Sequence, residues 1–448
     1  MSETESLPHC DEEISESLPN VMSVSAGQPA KSDIADSSNP TPSRTDALGT
    51  APLGPLLLGL CLPTAIAFSI SAVYTVVDSF FVGLYTGTEG LSALSLTAPL
   101  ESLFPEAIGV MLGSGACSML AVQIGIKHMS AARSLMAHLL LMGLFVGVVE
   151  PLIFLPSLEW ILVNIIKTSD AVLPYALDYG RVVFLLAPLG FFLVSGLVPV
   201  LRVENRANLG MWGEISAACL NSIGDFVYMG VFGIGIRGAA MATVTSQYTI
   251  GCLILIFYMR KNSTSEIKPD FTTFEKQMPE PLPSISVPED TVDAVVETAP
   301  TPPPSRIRWE YVQGILKGGV GVYIAILAPT MCAILANIQI ANYTDDTDVS
   351  DTTVAAMGVT LRLQNLLIMP MIGMSQGCIP LLGYCLGQHM PHRMTRATKY
   401  VALSALTFAL VCTALCQTFP AYLASIFSDD QGPSHRWVFV RVLCGGCP

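Results

Sequence analysis

The stretch "LGLCLPTAIAFSISAVYTVVDSFFVG", residues 58–83, decides the fold class of this chain. Its residues are almost all apolar or small, and it carries a single charge, the carboxylate of Asp78. A helix that crosses a bilayer needs about 20 mainly apolar residues, and this stretch is longer than that. We therefore predict a membrane-spanning helix that holds one acidic residue towards its far end.

The composition of the whole chain indicates the same class. Hydrophobic residues make up 51% of the 448 residues and charged residues 13%, whereas soluble domains carry about 25% charged residues. The net charge of −13 comes mainly from two polar segments, residues 1–50 and 260–310, so it does not describe a binding face. The cysteines have neither a secretory disulfide pattern nor zinc-site spacing. We predict an integral protein of the lipid bilayer with no nucleic-acid partner.

Nine apolar runs are long enough to span the bilayer, and together they predict an all-α polytopic membrane protein. They lie near residues 52–84, 91–126, 134–156, 171–201, 209–232, 238–259, 314–342, 353–387 and 400–427. In the second run, Pro99 and Pro105 predict a kinked helix.

Four domains follow from these runs and from the polar segments between them. They are a disordered acidic tail (1–50), an N-terminal six-helix lobe (51–260), a disordered Pro-rich linker (261–307) and a partial C-terminal lobe of three helices with a short tail (308–448).

The distribution of basic residues predicts the orientation. Lys and Arg are concentrated in alternate connecting segments, and the positive-inside rule then places the N-terminus and the 260–310 linker in the cytoplasm. The expected location is the plasma membrane or an endomembrane such as the vacuole.

The two halves of the chain resemble each other. "LSALSLTAPLESLF" in the second run compares with "VAAMGVTLRLQNLL" in the eighth, and Gly109 and Gly113 match Gly373 and Gly377. Both copies run in the same direction, which predicts two parallel-repeat helix bundles. The first bundle has six helices and the second has three of an expected six, so we expect either a truncated chain or a nine-helix variant.

Polar residues inside the apolar runs are the candidate functional groups, because a carboxylate in a helix bundle is costly and usually faces a cavity or a partner. Tyr74 and Asp78 are one helical turn apart, and so are Asn221 and Asp225. Thr243 shares a helix face with Gln247 and could add oxygens to a polar pocket. Helix capping by Asp78 and helix bridging by the Asn221–Asp225 pair are the structural alternatives.

Five further charged residues interrupt the apolar runs, and the sequence does not decide between functional and structural roles for them: Glu101, Glu106, Glu150, Arg181 and Arg362. There is no HExxH, GxSxG or phosphate-binding loop. We therefore expect no enzyme activity, no cofactor and no resident metal.

Four segments resemble the multidrug and toxic-compound extrusion (MATE) family, of its bacterial-type branch. They are residues 58–83, "VLRVENRANLGM" (200–211), "NSIGDFVYMGVFGIGIRGAAMATVTSQ" (221–247) and "MPMIGMSQGCIPLLGYCLG" (369–387). The resemblance covers residues 52 to about 427. It implies twelve helices in two lobes and the export of amphipathic, often cationic drugs or toxic compounds in exchange for H⁺ or Na⁺.

The resemblance also implies where the coupling ion binds. Tyr74, Asp78, Asn221, Asp225 and Thr243 match the family's N-terminal cation site. The candidate residues for the substrate cavity form a second group: Phe68, Glu101, Tyr228, Phe232, Gln247 and Tyr248. The protein is expected to act as a monomer.

Three other functions stay open at this point. A flippase for lipid-linked precursors belongs to the same superfamily, but its cavity would need more positive charge than Arg181 and Arg362 supply. A polytopic membrane enzyme would need a catalytic constellation, and none is visible. A non-transporting remnant would explain the incomplete second lobe.

Overall fold

The fold is built from α-helices, and this computed structural model describes residues 45–260, 264–270, 308–343 and 347–418. No strand occurs among those residues, which confirms the all-α prediction. The helices are α1 (Ala47–Thr50), α2 (Leu53–Glu101), α3 (Ala107–Gly125), α4 (Met129–Trp160), α5 (Leu173–Phe191), α6 (Val198–Val203), α7 (Ala207–Asp225), α8 (Ile236–Met259), α9 (Trp309–Tyr343), α10 (Thr347–Gly387) and α11 (Pro391–Thr418). Most of the predicted tail and linker, and residues 419–448, lie outside the described part.

Seven stretches of the described chain are long and apolar enough to cross a membrane. The first, Leu53–Gly125, contains both of the first two predicted runs. The fifth predicted run corresponds to α7, which is not among the seven, because Glu214, Asn221 and Asp225 make this helix less apolar. Since Asn221 and Asp225 are buried, the polar face of α7 is turned towards the protein.

Two irregularities separate the first two predicted spans and bend the second. Gly87 interrupts α2 with φ 73° and ψ −161°, a conformation that favours glycine because a Cβ would be strained there. A π-helical turn, Ser102–Glu106, joins α2 to α3 and contains Pro105. Proline cannot donate an intrahelical hydrogen bond, so the predicted kink takes the form of this wider turn.

The helices before the linker pack tightly against those after it, chiefly α2 against α10 and α3 against α9. Glycines make the close approach possible. A Cβ on Gly373 would lie 2.6 Å from the Cα of Ala65, and one on Gly377 would lie 2.7 Å from the Cα of Cys61. Small residues at such contacts let membrane helices bring their backbones together.

The start of the linker is anchored to the turn between α6 and α7. The carboxylate Oε1 of Glu204 accepts hydrogen bonds from the hydroxyl of Ser265 (2.6 Å) and from the backbone N–H groups of Glu266 and Ile267 (2.9 Å each). The side chain of Ile267 is fully buried. This part of the predicted linker is therefore bound to the turn between α6 and α7.

The segment that precedes α2 connects the linker start to α11. The hydroxyl of Thr45 donates to the carboxylate of Glu266 at 3.2 Å. The guanidinium of Arg393 donates to the backbone carbonyls of Leu48 and Ala51 at 3.1 and 2.6 Å. The N-terminal segment, the α6–α7 turn, the linker start and the start of α11 thus meet at one end of the bundle.

Candidate functional site

Three helices, α2, α7 and α8, pack against one another and carry the predicted ion-coupling residues. Asp78 lies on α2, Asn221 and Asp225 lie on α7, and Thr243 lies on α8. A Cβ on Gly224 would lie 2.9 Å from the Cβ of Ala242, so α7 and α8 are close at this level. The fold therefore brings residues from three separate sequence segments to one junction, called here the three-helix site.

The polar atoms of the three-helix site are buried and only partly paired. The amide nitrogen of Asn221 donates to the hydroxyl of Thr243 at 3.2 Å. The amide oxygen of Asn221 and both carboxylate oxygens of Asp225 have no hydrogen-bond partner among the described residues. Asp225 is fully buried and Asp78 is 7% exposed, and the two carboxylates interact electrostatically.

Buried oxygens without donors attract a positive charge. Removing an ionised carboxylate from water without a partner costs on the order of several kcal/mol. A second carboxylate nearby adds repulsion when both are ionised. Carboxylate, amide and hydroxyl oxygens are also ligands of small hard cations. The arrangement can therefore hold a proton or a small cation such as Na⁺.

A second acidic group surrounds Tyr74, one turn before Asp78. Tyr74 lies within electrostatic reach of Glu101, Glu106, Glu214 and Asp78. The hydroxyl of Tyr179 donates to the Glu101 carboxylate at 2.9 Å, and that of Ser102 donates to Glu106 at 2.8 Å. Glu101, a predicted cavity residue, also interacts electrostatically with Asp78. The three-helix site and this acidic group are therefore neighbours.

Sequence reasoning missed Glu214, Tyr179 and Arg202. Glu214 precedes Asn221 by seven residues and Asp225 by eleven, so helical periodicity could have placed it on their face of α7. Tyr179 gave no signal, because its partner Glu101 is 78 residues away in the chain.

Arg202 is buried, although the sequence suggests an exposed basic residue of a connecting segment. Its side chain is 5% exposed, and its guanidinium carbon lies 5.9 Å from the ring centre of Phe68, another predicted cavity residue. Arg202 also interacts electrostatically with Glu214. Among the described residues, the surroundings of the site thus contain a buried cation, Arg202, beside several carboxylates.

The remaining predicted cavity residues lie in different environments. Gln247 is 8% exposed, and its side-chain oxygen has no hydrogen-bond partner among the described residues. The hydroxyl of Tyr248 donates to the backbone carbonyl of Leu186 at 3.0 Å, at a contact with α5. The rings of Tyr228 and Phe232 are 6.3 Å apart, and Phe232 is 64% exposed. Only Gln247 shares the buried, unsatisfied character of the three-helix site.

The charged residues of undecided role also separate. Arg181 and Glu159 form an exposed ion pair at 3.8 Å, whereas Glu150 is buried. Glu106 belongs to the acidic group, and the side chain of Arg362 lies outside the described part. An apolar groove of about 560 Å³ between α10 and α11 contains none of the predicted site residues.

A family model described as MatE matches residues 63–227 and 347–436, which is more than half of the chain. The chain belongs to the MATE family. The match falls in two stretches, one on each side of the linker. This MATE protein is accordingly an integral, multi-pass membrane protein.

Individual relatives have low sequence identity, but their alignments cover most of this chain. The multidrug export protein MepA of Staphylococcus haemolyticus is 22% identical over 376 residues, which cover 84% of this chain and 73% of that protein. MepA of Staphylococcus aureus NCTC 8325 is 22% identical over 392 residues, which cover 87% of this chain and 77% of that protein.

Solved structures share the fold. An outward-facing multidrug resistance MATE transporter of the MOP superfamily aligns with a TM-score of 0.74 at 20% identity, over 90% of this chain and 80% of that one. A MOP superfamily transporter from Pyrococcus furiosus, described as having a binding pocket of reverse polarity, aligns with a TM-score of 0.73 at the same identity and coverage.

Proposed function

We propose that this MATE protein is a secondary transporter that exports amphipathic, cationic compounds in exchange for H⁺ or Na⁺ bound at the three-helix site. The observation that carries the proposal is the fully buried carboxylate of Asp225, both of whose oxygens lack a hydrogen-bond partner among the described residues, next to the carboxylate of Asp78. The names of the MepA relatives, multidrug export proteins, support the same function.

The charge around the site supports a cationic substrate. Five carboxylates, those of Asp78, Asp225, Glu101, Glu106 and Glu214, interact with one another or with Tyr74. Arg202 is the buried cation beside them in the described part. An excess of negative charge attracts organic cations, and aromatic faces such as that of Phe68 add cation–π contacts. A phosphate-bearing lipid precursor would meet repulsion here, which favours the exporter over the flippase.

The proposed mechanism is competition for negative charge between the coupling ion and the substrate. A proton or Na⁺ bound at Asp78 and Asp225 removes negative charge next to the acidic group around Tyr74. Binding of the drug cation is thereby weakened, and the drug is released. Release of the coupling ion on the other side of the membrane then restores the negative charge. We place the end that carries Glu204 and the linker start in the cytoplasm, because basic residues are concentrated in the connecting segments there.

The test is efflux of ethidium from cells that express the full chain. We expect efflux that stops on addition of a proton uncoupler or on removal of sodium, whichever ion is coupled. Asp78→Asn and Asp225→Asn should each abolish it at matched expression. Asp178→Asn is the matched control, because this carboxylate forms an ion pair with Arg237 at 2.6 Å that is partly exposed and lies outside the site. Equal efflux by all three variants would refute the coupling role.

A further inference from the structure

Glu150 on α4 is a buried carboxyl group that neither the three-helix site nor the acidic group around Tyr74 uses. It is 4% exposed, and both of its carboxylate oxygens lack a hydrogen-bond partner among the described residues. Its chain neighbours are apolar on both sides, "GVVEPLIF" over residues 147–154. An ionisable residue inside a membrane helix is expensive and is a functional candidate by default.

The surroundings of Glu150 contain no positive charge in the described part. Helix α4 packs against α3, α5 and α9. Tyr323 on α9 interacts electrostatically with Glu150. Helix α3 has no charged residue. Helix α5 has two, and each forms an ion pair: Asp178 with Arg237, and Arg181 with Glu159. Lys317 on α9 is exposed and lies almost two turns before Tyr323.

We propose that Glu150 binds a proton at the contact between α4 and α9. An ionised carboxylate with no donor and no counter-charge would cost several kcal/mol, on the order of a buried unpaired ion. A metal cation is a poor occupant, because it needs about six oxygen ligands and the stretch around Glu150, "GVVEPLIF", has no second side chain with an oxygen. A proton needs only one oxygen.

The next residue leaves a backbone acceptor near Glu150 in the chain. Pro151 has no backbone N–H, so the carbonyl of Gly147 lacks its usual donor within the helix. A protonated Glu150 has an O–H group that can donate within the same turn, whereas the ionised form can only accept.

The position of Glu150 links its proton to the arrangement of the two halves. Helix α4 precedes the linker and α9 follows it, so their contact joins the halves. Where the halves separate, water reaches the carboxyl group and the proton can leave. Glu150 is then a second proton-binding group of the transport cycle. This last step rests on the proposed transport function, but proton binding at Glu150 does not.

Infrared difference spectroscopy of the purified full chain in nanodiscs tests the proton directly. We expect the carbonyl stretch of a protonated carboxylic acid, at the frequency of a weakly hydrogen-bonded group, to persist at neutral pH and to disappear in Glu150→Gln. Asp178→Asn should leave this band unchanged. A spectrum of Glu150→Gln identical to that of the unmodified protein would overturn the proposal.

Stability provides a second measurement that does not depend on transport. If Glu150 is protonated, Glu150→Gln and Glu150→Leu replace a neutral group and should keep the thermal unfolding midpoint the same or raise it. If it is ionised and paired, both variants should lower the midpoint, and the proposal is wrong.

Transport separates this proposal from the previous one. In Glu150→Gln we expect ethidium efflux whose dependence on external pH is flatter than in the unmodified protein, whereas Asp78→Asn abolishes efflux. An infrared band in a chain that exports no dye would uphold Glu150 and refute only the exporter. Unchanged pH dependence together with an unchanged spectrum would refute Glu150 and leave the exporter intact.

Discussion

Asn221 on α7 and Thr243 on α8 are joined by a hydrogen bond of 3.2 Å in which the amide nitrogen is the donor. This bond fixes the orientation of the amide. Among the described residues, the amide oxygen has no hydrogen-bond partner, and Asp225 follows Asn221 by one helical turn. If the coupling ion binds here as proposed, this bond, which links two helices, orients an oxygen that can bind it.

Thr243→Val should remove the hydrogen bond that orients the Asn221 amide. Valine keeps the shape of threonine but cannot accept the amide hydrogen, and a lost buried hydrogen bond costs about 1–3 kcal/mol. We expect a lower unfolding midpoint and about a tenfold higher ion concentration for half-maximal efflux, since 1.4 kcal/mol corresponds to tenfold. Thr243→Ser retains the acceptor and is the control. Equal ion dependence in both variants would show that the bond is not part of the site.

Tyr179→Phe should affect the substrate rather than the ion. It removes the hydroxyl that donates to Glu101 at 2.9 Å, and loss of a hydrogen bond to a charged group costs about 1.5–3 kcal/mol. On the proposed role of Glu101, we expect KM for a cationic dye to rise by about tenfold with little change in maximal rate.

The control for Tyr179→Phe is Tyr400→Phe. Tyr400 is 57% exposed and lies on α11, a helix that carries none of the predicted site residues. The dye KM of Tyr400→Phe should match that of the unmodified protein. A similar KM in both variants would count against a role of Glu101 in binding cations.

Gly319→Ala should disturb the contact between the two halves. A Cβ there would collide with the backbone carbonyl oxygen of Met111 on α3, whereas a Cβ on Gly321, two residues along α9, meets nothing within 4 Å. Overpacking costs about 1–3 kcal/mol, so the unfolding midpoint should fall for Gly319→Ala and hold for Gly321→Ala. Thermal unfolding of both variants in detergent checks this, and equal midpoints would contradict the α3–α9 contact.

Glu204→Gln should release the start of the linker. The carboxylate accepts three hydrogen bonds from residues 265–267, and a neutral amide would weaken them by on the order of 2 kcal/mol. A glutamate-specific protease should then cut after Glu266 faster, as measured by mass spectrometry of the fragment that ends there. Glu310→Gln, an exposed residue at the start of α9, is the control. Unchanged cleavage would mean that Glu204 does not hold the segment.

Pairs of site residues on the same helix could be predicted from the sequence, and pairs on different helices could not. Tyr74 and Asp78 are one turn apart, as are Asn221 and Asp225, and the helical period alone puts each pair on one face. The bond from Asn221 to Thr243 and the contact of Arg202 with Phe68 required the relative rotation of two helices, which no periodicity reports.

The sequence by itself determined that this protein is a bundle of membrane helices with carboxylates inside it. That conclusion depends on run length and on the cost of exposing polar groups to lipid, which are properties of each segment alone. Only the tertiary structure decided that Glu214 and Tyr179 join the acidic group, that Arg202 is buried and that Glu150 is buried. Helix crossings depend on side-chain packing along both partners at once, so these positions are a property of the whole bundle.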